Sequence, residues 1–149
     1  MEESTTIVNA CDISIWLDNA AGTLTEISNT ENKAKLAMKK NTGQKRVFGS
    51  RGPRRMSCGD DWQLDLTMLY STAADEALDI VRDWAISGVD TARTCVIYVP
   101  DKNVGSDMYS AEWVLDSLDI PLDAEDAGPV ACSAVLLIDG DISHSNVAT

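Results

Sequence analysis

Residues 62–70 read WQLDLTMLY, and their periodicity decides the fold. Trp62, Leu64, Leu66, Met68 and Tyr70 fall on one side of a two-residue period, with Gln63, Asp65 and Thr67 on the other. Such alternation belongs to a strand with one face on an apolar core. Directly after it the period changes. In STAADEALDIVRDWAISG, Ala74, Ala77, Leu78, Val81, Trp84 and Ala85 recur at helical spacing, predicting one α-helix over about residues 72–86. Thr72 suits its N-cap, Asp75 and Glu76 the positive end of the helix dipole, and Gly88 a C-terminal stop.

Further strand signals lie on both sides. CDISIWL at 11–17 sets Cys11, Ile13, Ile15 and Leu17 against Asp12, Ser14 and Trp16; a DNAAG turn and a short TLTEIS segment follow. Ala34, Leu36 and Met38 alternate through 33–39. Downstream, TCVIYV (94–99), MYSAEWVLDSL (108–118) and VACSAVLLI (130–138) complete the set. The expectation is a mainly β fold, an antiparallel β-sandwich or barrel with one inserted helix. A chain of 149 residues makes one domain, residues 1–149, with short flexible ends.

Charge is sorted along the chain. The net charge is −12, yet Lys33 through Arg55 hold nine of the twelve Lys and Arg residues and no acid. That stretch is +9; the 24 acids elsewhere meet three bases (Arg82, Arg93, Lys102), leaving −21. From Asn41 to Gly59 no periodicity survives, so a long basic loop is expected over about 39–59. Three uses suit it. A nucleic-acid arm wants interleaved aromatics, and only Phe48 is present. A linker of this length is possible, but Val47, Phe48 and Met56 are anchors that linkers rarely carry. An interaction loop would order against an acidic neighbour, and another copy of this chain supplies one.

Nothing in the sequence groups into catalytic machinery: there is no P-loop, GxGxxG or GxSxG, and the lone histidine is His144. Cys11, Cys58, Cys95 and Cys132 stand far apart, against a zinc site. DAED at 123–126 and DGD at 139–141 lack the spacing and terminal glutamate of a calcium loop. No enzyme, metal or cofactor is therefore expected. The N-terminus carries no secretory signal, and no apolar run is long enough for a membrane span.

The order of these segments resembles the tail tube (major tail) proteins of bacteriophages, over roughly residues 7–144. The most similar part is DMYSAEWVLDSLDIPLDAEDAGPVACSAVLLIDGDI. The resemblance implies a virion structural protein that closes into hexameric rings. The rings stack into a tube whose negative lumen passes DNA without specific binding. It further implies tail tip, baseplate and terminator proteins as partners, assembly in the host cytoplasm and residence in the virion tail. Lys39, Lys40, Lys45, Arg46, Arg51, Arg54 and Arg55 are then expected on an inter-subunit loop, and Asp65, Glu112 and Asp116 on the lumen wall. A capsid decoration protein and a secretion-system tube protein are the alternatives in the same structural class. A small-ligand binder or enzyme in a β-barrel is the other class, disfavoured by the scarcity of polar residues within the strands at 62–70, 94–99 and 130–138.

Overall fold

A computed structural model describes residues 13–19, 21–28, 31–49, 51–87, 92–99, 104–122 and 128–148. Both chain ends, Cys11, Gly88, Lys102 and the DAED stretch lie outside the described residues. The strands are β1 (Ser14–Asp18), β2 (Leu24–Glu26), β3 (Glu31–Ala37), β4 (Lys40–Lys45), β5 (Arg54–Asp60) and β6 (Gln63–Leu69). After helix α1 (Ala77–Ile86) come β7 (Arg93–Val99), β8 (Asp107–Asp119), β9 (Ala131–Ile138) and β10 (Ser143–Asn146). The fold is mainly β and antiparallel with one helix.

Eight strands form one sheet in the order β2–β1–β7–β8–β9–β6–β3, and β10 pairs with the first half of β8 where β9 has ended. Its width decides its shape. Seven strands abreast span about 30 Å, whereas a ten-residue helix is about 15 Å long and 10 Å across. One such helix cannot cover a flat sheet. Yet Leu17 on β1 and Leu64 and Leu66 on β6, well apart in strand order, are all fully buried in the same apolar cluster with Leu78 and Val81 of α1. The sheet therefore curls around its own core, and α1 closes the opening against β8 and β6. The alternation in WQLDLTMLY is seen directly: Leu64, Leu66 and Met68 are buried while Gln63, Asp65 and Thr67 are half-buried on the other side. Trp62 is half-buried and Tyr70 exposed, because they lie just beyond the two ends of β6.

The structure departs from sequence expectation in three places. The helix begins at Ala77, five residues later than the expected start at about 72. Ser71–Glu76 instead form a turn in which the Ser71 hydroxyl accepts from the Ala73 N–H and Asp75 takes a left-handed φ of 60°. The Asp79 carboxylate, in the first turn, accepts from the Asp75 N–H just outside the helix, and no side chain caps the helix N-terminus. SHSN at 143–146, without apolar alternation, is a strand because the exposed edge of β8 offers it a backbone ladder. Finally, the basic stretch at 39–59 is an ordered β-ribbon, β4 paired with β5. Its strands show no hydrophobic period because neither face has a core to meet.

Candidate assembly surfaces: a basic arm and an acidic sheet face

The ribbon is a continuation of the main sheet. β3 and β6 pair down to Ala37 opposite Gln63, the Asp61 N–H donates to the Lys39 carbonyl, and the ladder resumes with Lys40 opposite Asp60. One long hairpin thus leaves the sheet edge and projects β4 and β5 as an arm about 20 Å long. A bulge near Asn41, with Gly59 at a φ of 130°, bends it there. Every residue of β4 is exposed, and the substantial packing of β4 and β5 is against each other alone. A two-stranded hairpin standing free in water is marginal.

Charge makes it more so. Lys45 lies directly opposite Arg54, and like charges opposed across a ladder repel. Gln44 faces Arg55, and among the described residues a cation of the arm finds an acid only at its root, Lys40 Nζ lying 3.7 Å from Asp60. Lys39, Lys45, Arg46, Arg51, Arg54 and Arg55 are all exposed. At the tip, between Arg46 and Arg51, Phe48 is fully exposed and Val47 partly so. The seven cations expected on a contact loop therefore lie on one projecting element.

Asp65 and Glu112 share the sheet face turned away from α1. Register connects them: Asp65 opposes Val135, Leu137 opposes Val114, and Val114 and Glu112 alternate along β8. Gln63 Nε2 donates to Asp65 at 2.7 Å, and the Thr94 hydroxyl donates to Glu112. Asp18 accepts from the Thr94 N–H at 3.4 Å, and Glu26 accepts from Ser14 and Ser28. The charged residues of this face from β2 to β8 are acids, set among apolar side chains such as Trp16, Val96 and Tyr98, and at the β3 edge a cation, Lys35, stands opposite Asp65. Asp116 is set apart. It is the extra residue of a β8 bulge between Leu115 and Ser117 and borders a groove with Trp84 and Ala85 at the end of α1.

No protein-family model and no curated protein matches the sequence. Solved structures do. A tail chain of an empty gene transfer agent (GTA) particle, refined with C6 symmetry, superposes with a TM-score of 0.68 at 16% identity, covering 93% of this chain and 99% of that one. The SPP1 tail tube gives 0.70 at 14% identity, covering 94% and 80%. The chain has the tail-tube fold. A chain of the anti-feeding prophage (AFP) baseplate matches over the full length of both, with a TM-score of 0.71 at 12% identity. At these identities the likeness is one of fold.

Within this tail-tube fold, one residue important to the architecture escaped the sequence reading. Arg93 is buried; its guanidinium lies 5.1 Å from the Trp84 ring centroid, and Nη1 donates to the Ile80 carbonyl at 3.3 Å. Burial pulls its pKa below the ordinary arginine value, while Asp83 and Asp18 push it back up. Arg93 ties α1 to β7, which gives Trp84 a role that no sequence pattern signals. His144 is an exposed strand residue 3.1 Å from Asp107, its ring beside Tyr109. Cys95 and Cys132 are buried in the core. Among the described residues, no three His, Cys, Asp or Glu side chains converge as metal ligands, and no helix is long and apolar enough to cross a membrane.

Proposed function

We propose that this chain is a non-enzymatic structural subunit of a phage-type tail tube, closing into hexameric rings that stack head to tail. The observation that carries the reading is the arm. A ribbon holding seven of the chain's twelve cations, from Lys39 to Arg55, projects from a domain whose other charges sum to −19, and among the described residues its substantial packing is within itself. Lys39, Lys40, Lys45, Arg46, Arg51, Arg54 and Arg55 meet acids of the next copy, which relieves the repulsion between Lys45 and Arg54. Unlike patches on one protomer generate rings where the rotation closes and filaments where it does not. The C6 symmetry of the GTA tail supports six subunits per ring.

Asp65 and Glu112 then face the lumen, where an acidic wall keeps DNA from binding as it passes. Asp116, beside α1, is left out of that wall. Likeness to chains in an AFP baseplate and in the PVC (extracellular contractile injection system) sheath/tube terminator supports baseplate and terminator partners. The working location is the virion tail, after assembly in the host cytoplasm. A second reading, an injection-system tube without genome transit, is favoured by the PVC sheath–tube complex, with a TM-score of 0.67 at 12% identity.

Electron microscopy of the purified protein, from micromolar to millimolar concentration in low and high salt, tests the proposal. Hollow tubes or six-fold rings that dissolve in high salt are expected. Compact monomers at every condition overturn it, and discrete trimers would favour a capsid decoration role.

A further inference from the structure

The arm tip and the groove at the end of α1 are complementary, and we propose that Phe48 of one copy docks into that groove on the next. The inference rests on the assembly reading above and names the contact that reading leaves open. Phe48 stands in water at the end of a polar ribbon, flanked by Arg46 and Arg51. The groove, of about 240 Å³, runs between the C-terminal turn of α1 and the bulge of β8. Trp84 and Ala85 form one wall and the β8 segment Val114–Leu118 the other, with Asp116 and Ser117 at the bulge. An apolar cavity of about 150 Å³ accepts benzene, so a phenyl ring has room.

Electrostatics set the choice of occupant. A helix C-terminus carries partial negative charge, which lysine or arginine usually offsets in the last turn. The last turn of α1 has no basic residue, and Asp116 is exposed beside it. The groove therefore mixes apolar side chains with polar groups and is negative at Asp116, while the tip is an aromatic ring between two cations. Phe48 is uncovered in its own domain, so the occupant is a second copy. A ring seated in the groove brings Arg46 or Arg51 to the Asp116 carboxylate and the negative end of α1. This assigns Asp116 to a contact between copies.

The test mixes two full-length variants, Val47→Cys and Ala85→Cys, under mild oxidation, with each variant alone as control. Both positions are exposed, so neither change disturbs the core. A disulfide joining positions 47 and 85, found by mass spectrometry in the mixture, is expected. Adding Phe48→Ala to the first variant should cut its yield about tenfold or more. Tubes without the cross-link overturn the docking and leave the tube reading standing. A cross-link indifferent to Phe48→Ala also overturns it, since the ring would then contribute nothing. A Phe48-dependent cross-link without tubes keeps the docking and removes the tube, whereas neither tubes nor cross-link removes both.

Discussion

Arg93 is the residue on which helix and sheet agree. It spends its charge on the Trp84 face and the Ile80 carbonyl, with Asp83 and Asp18 close enough to hold it ionised. Arg93→Ala removes a charged hydrogen bond and a cation–π contact together and should lower stability by about 2–4 kcal/mol, read from urea unfolding. Cys132 offers a second check. Burial raises its thiol above the free value of 9.0, so the unfolded thiol ionises first. That contribution to stability is complete below pH 9.0 and is lost as pH rises through the higher folded value. Urea midpoints on either side of pH 9.0 should fall less in Cys132→Ala than in wild type. In the native state Cys95 and Cys132 should resist thiol reagents until the protein unfolds.

At the scale of elements, α1 shows how tertiary context sets a boundary that local propensity misplaces. Thr72, an acceptable N-cap by composition, is exposed on a turn, and the helix starts where Asp79 can hold the Asp75 N–H. Asp79 also meets Arg82 at 3.3 Å, a half-exposed pair of little weight. Asp79→Ala is therefore expected to cost about 1 kcal/mol of stability, whereas Thr72→Ala should be nearly neutral. Equal losses would restore the earlier boundary. The arm is the opposite case. No amphipathic stripe identifies β4 and β5, since neither strand packs on the core; the β3–β6 ladder alone carries pairing out past Lys40 and Asp60.

At the scale of the whole molecule, segregated charge is the property most open to perturbation. Reversing Arg46, Arg51 and Arg54 to Glu should leave the monomer folded, because all three are exposed and away from the core. The same change should abolish tubes by setting like charges against like. Circular dichroism and electron microscopy on the triple variant make the comparison, and normal tubes would sink the role given to the arm. Screening acts alike: at about 0.15 M salt the Debye length is about 8 Å, so the proposed contact requires close ion pairs and higher salt should weaken it.

The mainly β class, the main-sheet strands except SHSN, the presence of one helix and the isolated basic segment were legible in the sequence. Burial on one face imprints a period of two or 3.6 on the residues, and charge sorting needs no structure to be seen. WQLDLTMLY reads correctly because Leu64, Leu66 and Met68 all meet the same core. What only the tertiary structure decided was everything without a core face of its own. The arm is a ribbon because a distant ladder extends it, and the helix start is set by a turn and one carboxylate. Asp65 and Glu112 come to one face through register across β6, β9 and β8, while Asp116 sits at a bulge in β8, outside the paired register. Long-range backbone pairing specifies these, and it leaves no periodic signature in the residues it joins.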